Sequence, residues 1–155
     1  MVLNVTAHGY HTPMTTTAAT DLQLVPFVFF YGRCEEALEF YKQAIGGTYE
    51  LQRIGETPMA ADFPKESHQR VMHATFKGGG MTFMASDGRE TKQIDPEEGN
   101  VILALAATDS AQGERIFNAL SAGGTIRTPL GEVFWGGKYG SLIDRFGVEW
   151  MVTTP

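Results

Sequence analysis

The stretch Glu35-Glu36-Ala37-Leu38-Glu39-Phe40-Tyr41-Lys42-Gln43-Ala44-Ile45-Gly46-Gly47-Thr48 decides the fold, because the chain carries it twice. The second copy is Gln112-Gly113-Glu114-Arg115-Ile116-Phe117-Asn118-Ala119-Leu120-Ser121-Ala122-Gly123-Gly124-Thr125. Phe40 aligns with Phe117, Gly46 with Gly123, Gly47 with Gly124 and Thr48 with Thr125, all at one offset of 77. Recurrence at a fixed offset marks a duplicated structural unit. Ala37, Leu38, Phe40, Tyr41, Ala44 and Ile45 fall on one face at helical spacing, as do Ile116, Phe117 and Leu120 in the second copy. The glycine pairs suit helix ends that turn through the left-handed region, and Asp109-Ser110 suits the N-cap of the second helix.

Working outward, an apolar run precedes each helix: Leu24 to Phe30 before the first and Val101 to Ala107 before the second. Both are short and bounded, as strands are. After the first helix, strands are expected over Thr48 to Ile54, Val71 to Lys77 and Met81 to Ser86. After the second they are expected over Thr125 to Thr128 or further, over Tyr139 to Asp144 and over Val148 to Thr153. The last strands align at a second offset of 67, Gly80-Met81-Thr82-Phe83-Met84 over Gly147-Val148-Glu149-Trp150-Met151. The difference lies in a longer loop of the first half, around Glu56 to Gln69. The chain therefore reads as α+β, two βαβββ repeats whose curved mixed sheets enclose a cavity. Residues 1–20 read as a tail and 21–155 as one domain: a first unit at 22–88, a linker at 89–99 and a second unit at 100–153. Met14 is an alternative start, which would leave His8 and His11 upstream.

Composition narrows the function. The chain has 155 residues, enough for one domain with a real core. Its net charge is −6 with no basic cluster, which argues against nucleic acid and weakly favours a cationic ligand. No apolar run is long enough to span a bilayer, so no membrane partner is expected. The single cysteine, Cys34, rules out an internal disulfide and fits a cytoplasmic setting. It stands at a helix start beside Glu35 and Glu36, and reads either as a reactive thiol or, with more behind it, as an inert one.

The repeated pattern resembles the vicinal oxygen chelate superfamily, which includes glyoxalase I, extradiol dioxygenases and bleomycin-resistance proteins. The PhnB-like branch is the nearer resemblance. It is carried by Phe29-Phe30-Tyr31-Gly32, Cys34 to Tyr41, Val71-Met72-His73-Ala74 and Met84-Ala85-Ser86-Asp87 in the first half. In the second half it is carried by Ala122-Gly123-Gly124, Pro129-Leu130, Phe134-Trp135-Gly136, Tyr139-Gly140 and Asp144 to Trp150. Such proteins often bear a ubiquinone methyltransferase label. No glycine-rich nucleotide loop stands between a strand and a helix here, so that activity is not expected.

The resemblance implies a homodimer, and in metal-dependent members four inward ligands from the first and fourth strands of each unit. Carried onto this chain, those positions are Pro26, Met84, Leu103 and Met151. Proline and leucine do not ligate through their side chains, and methionine suits copper(I) rather than a hard divalent ion. The neighbours reached by a one-residue slip (Phe27, Phe83, Ala85, Ile102, Ala104, Trp150 and Val152) hold no ligand set either. No metal and no cofactor are therefore expected.

Candidate site residues follow from strand alternation. Thr82, Met84 and Ser86 share a face, as do Glu149, Met151 and Thr153, while Pro26, Val28 and Phe30 share a face of the first strand. Phe30, Met84, Ser86 and Met151 are the candidate ligand-binding residues, in a pocket or in a filled barrel. His73 reads as a general base or as a rim histidine, and Glu149 as a cavity acid or as a residue at an open end. Trp135, Lys138 and Tyr139, in a glycine-rich loop, hold a planar or anionic group or else plug the barrel. The functions in competition are a metal-free binder of a small organic molecule, a metal-independent enzyme using His73 or Glu149, a divalent-metal lyase, isomerase or dioxygenase, and a ligand-free dimeric scaffold.

Overall fold

The structure, a computed structural model, describes residues 22–92 and 94–155. The expected tail at 1–20, with His8, His11 and Met14, lies outside the described residues. The element order is β1 (Phe27–Phe29), α1 (Cys34–Ile45), β2 (Thr48–Arg53), β3 (Val71–Gly78), β4 (Met81–Ser86), β5 (Leu103–Ala106), α2 (Ser110–Ser121), β6 (Thr125–Glu132), β7 (Lys138–Ile143) and β8 (Glu149–Thr153). This is βαβββ twice, as the repeat requires. The four strands of each half form one sheet, in the orders β1-β4-β3-β2 and β5-β8-β7-β6. In each, the first strand runs parallel to the fourth and the remaining pairs are antiparallel.

The glycine pairs end the helices where close approach forbids a side chain. A Cβ on Gly47 would lie 2.5 Å from the Lys77 carbonyl oxygen, and one on Gly124 would lie 2.2 Å from that of Ile143. Gly47 also sits at φ 109°, a conformation that costs other residues dearly. The helix starts differ. Asp109 caps α2, accepting from the Gln112 amide at 2.7 Å. At α1, Arg33 stands at the N-cap without a side-chain cap bond, and the buried carboxylate of Asp87 accepts from the Cys34 amide at 2.8 Å instead.

Both helices and the inner faces of both sheets share one core, which runs from Phe30, Leu38, Phe76 and Phe83 to Phe117, Leu142, Trp150 and Val152. Tyr41 joins the halves. Its ring meets Phe83 at 5.9 Å and Trp150 at 5.4 Å between centroids. Its hydroxyl donates to Asp144 at 2.5 Å. Asp144 is 3% exposed and also accepts from the Trp150 indole at 2.8 Å and from the amides of Phe146 and Val148. A buried carboxylate is tolerable only when its lone pairs are filled in this way. The Tyr41 hydroxyl is held protonated well above its ordinary range by burial first, and then by the Asp144 charge.

Candidate functional site

The strand registers define an open face on each sheet. Phe27 stands opposite Met84, and Met84 opposite Thr75, while Phe29 stands opposite Ser86. In the second sheet Ala104 stands opposite Met151 and Met151 opposite Ser141. Met84 and Met151 thus occupy equivalent places. The first-strand residues beside them are Phe27 and Ala104, not Pro26 and Leu103. The expected first-strand positions were one residue out of step. LVPFVFF and VILALAA are apolar at nearly every position, so alternation does not reveal which residues face the helix.

The same slip moves Phe30. Expected on the cavity face, it is 4% exposed and packs in the core against Tyr41 and Phe146. Pro26 and Leu103 line a cleft of about 400 Å³ between the two sheets, with Leu24, Thr82 and Ala104. The four open-face positions, Phe27, Met84, Ala104 and Met151, do not suit a divalent ion. Among the described residues no three His, Cys, Asp or Glu side chains are grouped so that they could hold a metal ion.

The largest cavity described lies on the open face of the first sheet. It measures about 770 Å³, and its apolar walls include Phe27 and Phe29 from β1 and Met72 from β3. The opposite wall is the connection between β2 and β3, which contributes Met59 and Phe63. That connection is built rather than loose. It winds through three short 3-10 turns, at Ile54–Glu56, Ala60–Asp62 and Lys65–Ser67. Its ends are tied by the Ile54 amide to the Arg70 carbonyl at 3.0 Å and the Gly55 amide to the His68 carbonyl at 2.9 Å. The His68 ring fastens the middle, with Nε2 at 2.8 Å from the Ala60 carbonyl oxygen and 3.1 Å from that of Phe63. Phe27 and Phe29 remain 42% and 47% exposed, so two aromatic rings are presented to the cavity rather than consumed by the core.

The expected site residues are not gathered into one place. Ser86 lines this cavity, but its hydroxyl donates to the Val71 carbonyl at 3.2 Å and accepts from the Gly88 amide at 3.0 Å. His73 is exposed on the same open face, its Nε2 at 3.2 Å from the Met84 sulfur and its ring 5.9 Å from that of Phe27. It borders a shallower hollow of about 410 Å³ with Glu50, Gln52 and Glu56. Glu149 lies on the other sheet and is held by Arg127 at 3.6 Å. Trp135 does not plug a barrel: it is 65% exposed at the tip between β6 and β7, its ring edge-on to Phe134. The Lys138 ammonium pairs with Glu114 at 2.5 Å. Tyr139 is half-buried, opposite Thr153. Cys34 is fully buried, and burial, with Asp87 and Glu35 nearby, pushes its thiol up to about 12. It is therefore a protonated core residue at neutral pH.

The wall residues Met59, Phe63 and Arg70 and the rings of Phe27 and Phe29 escaped the sequence reading. For Met59 and Phe63 the one signal was the presence of large apolar side chains inside a long, otherwise polar connection.

Paired βαβββ units with an apolar cavity on an open sheet face define a protein of the glyoxalase/bleomycin-resistance/dioxygenase class. Solved structures bear this out. PA1353 from Pseudomonas aeruginosa is 37% identical, with a TM-score of 0.74 over 86% of this chain and 97% of that one. A PhnB protein from Bacillus cereus is 25% identical, with a TM-score of 0.69 over 86% of this chain and 100% of that one. A glyoxylase/bleomycin resistance protein/dioxygenase domain from Frankia is 14% identical, with a TM-score of 0.57 over 85% and 94% of the two chains, a likeness of fold. The chain belongs to the PhnB-like family described as 3-demethylubiquinone-9 3-methyltransferase, whose profile matches residues 22–153. Gly78-Gly79-Gly80 leads from β3 into another strand, β4, rather than into a helix.

Proposed function

We propose that this protein binds a small organic molecule in the cavity between β1, β3 and the β2–β3 connection, without a divalent metal. The observation that carries this reading is the cavity itself. At about 770 Å³ it has the size of a ligand site, and its large aromatic and sulfur-bearing walls are left exposed. Enclosure by a pinned connection, rather than by a free loop, supports a site that is largely formed before the ligand arrives.

A thermal-shift screen of small aromatic compounds tests it. A binder present at roughly one hundred times its Kd is expected to raise the Tm by about 5–10 °C. Phe29→Ala is expected to abolish that shift. A screen in which no shift depends on Phe29 overturns the reading, and so does a divalent ion bound stoichiometrically in equilibrium dialysis.

Acid–base catalysis by His73 or Glu149 has less support. Glu149 is engaged by Arg127, and His73 stands beside the cavity rather than in its lining. We infer further that the protein works as a homodimer in the cytoplasm, a second copy covering the apolar side chains left exposed at Ile102 and Ile126. Sedimentation that shows a monomer at micromolar concentration removes that inference. No helix among the described residues is long and apolar enough to cross a membrane.

A further inference from the structure

The cavity is unusual for its charge. Four cations elsewhere find carboxylates: Arg33 with Glu36, Arg53 with Glu35, Arg127 with Glu97 and Glu149, and Lys138 with Glu114. In a chain of net charge −6 such partners are plentiful. Yet Arg70 and Arg89, which both line the cavity, enter none of the ion pairs among the described residues.

Arg70 is half-buried, and its guanidinium donates to carbonyl oxygens of the turn after β4. Nε reaches Gly88 at 3.3 Å, and one terminal nitrogen reaches Asp87, Gly88 and Glu90, each at 3.1 Å. Carbonyls orient the head without neutralising its charge. A third cation stands close by, the Lys92 ammonium, 4.6 Å from the Tyr31 ring centre, and that ring stacks on Phe29 at 6.1 Å. Against these, Asp62 is the one carboxylate residue among those lining the cavity. Among the charged residues of the lining, cations thus outnumber carboxylates two to one, the reverse of the balance in the whole chain. A fixed guanidinium beside apolar walls acts in a lower dielectric than one in open water, where its pull on an anion is stronger.

We propose that the molecule bound here carries an anionic group, seated at the Arg70–Arg89 end of the cavity with its apolar body against Phe27, Phe29 and Phe63. The ligand class is then an aromatic or aliphatic oxyanion. This rests on the cavity reading above, and it reverses the cationic preference that net charge alone suggests.

Isothermal titration with three matched probes tests it: 2-naphthoate, 2-naphthamide and 2-naphthylmethylammonium. Naphthoate is expected to bind about tenfold more tightly than the amide, and the ammonium more weakly than either. Arg89→Gln is expected to remove most of that preference, while Arg127→Gln, outside the cavity, leaves it unchanged. Arg70→Gln also strips three carbonyls of a donor, so its Tm is read alongside, and Arg89→Gln decides the matter should it fail to fold. If the amide or the ammonium binds as well as naphthoate, and Phe29→Ala weakens it, the anion is wrong and the apolar cavity stands. A tenfold preference for naphthoate that survives Arg89→Gln and Arg70→Gln overturns the assignment to these arginines. If no probe binds in a Phe29-dependent way, the cavity reading and the anion fall together.

Discussion

The two halves of this molecule share an order of elements and a strand register, yet among the described residues the cavity of about 770 Å³ lies on the open face of the first. The difference is one connection. Between β2 and β3 the chain spends residues 54–70 on three tied turns that stand over the sheet. Between β6 and β7 it needs only residues 133–137, and Phe134 and Trp135 project from that tip. The strand residues follow the same division: Phe27 and Phe29 in β1 face the cavity, where the equivalent strand β5 offers Ala104 and Ala106. Duplication supplied a frame, and a longer connection with larger open-face side chains turned one copy of it into a site.

The comparison can be broken most forcefully at the buried carboxylates. Asp144 in the second half satisfies two side-chain donors and two amides, whereas Asp87 in the first satisfies only the amides of Cys34 and Val71. Asp144→Ala is expected to cost about 3–5 kcal/mol and Asp87→Ala about 2–3 kcal/mol, read by urea denaturation. Equal losses would mean that the Tyr41 and Trp150 bonds add nothing.

The helix-end glycines come next. Gly47→Ala and Gly124→Ala each push a Cβ against a carbonyl oxygen and are expected to lower stability by about 1–3 kcal/mol. Both ends share the close approach, and Gly47→Ala adds the strain of its φ of 109°, which Gly124 lacks. Phe29→Ala sharpens the contrast from the functional side. It removes a half-exposed ring, so stability should change by less than about 1 kcal/mol while ligand binding is lost. A loss near 3 kcal/mol would make Phe29 a core residue.

Alkaline pH probes the buried thiol of the first half. The Cys34 thiol is raised from 9.0 to about 12 in the folded chain. Its contribution to stability is thus complete below about pH 9 and lost as the pH climbs toward 12. Wild type should lose Tm more steeply over that window than Cys34→Ala. At neutral pH the folded protein should resist alkylation by iodoacetamide, and it should react once unfolded.

The lesson for reading such chains lies in particular residues. Phe40 over Phe117 and the paired glycines exposed the duplication, because a helix end pressed against a strand tolerates only glycine. Met84 and Met151 were placed on equivalent positions by the resemblance and the offset of 67, and the strand registers pair them with equivalent neighbours. Phe30 was misplaced because its strand is apolar on both faces, and only the packing of α1 selects between them. The wall built from Met59, Phe63 and Arg70 was illegible for a different reason. Its residues reach the cavity through turns tied by His68 and by backbone bonds that no period in the sequence announces.

By itself, then, the sequence determined the paired βαβββ order, the helix limits and the chemistry of the side chains on each strand. These depend on local periodicity, on glycine and on residue chemistry, all of which are written along the chain. Tertiary structure alone decided which face of β1 is covered, where the long connection lies and which cations meet at one cavity. Those outcomes follow from contacts between segments far apart in sequence, where the shape of the partner surface, not the residue itself, makes the choice.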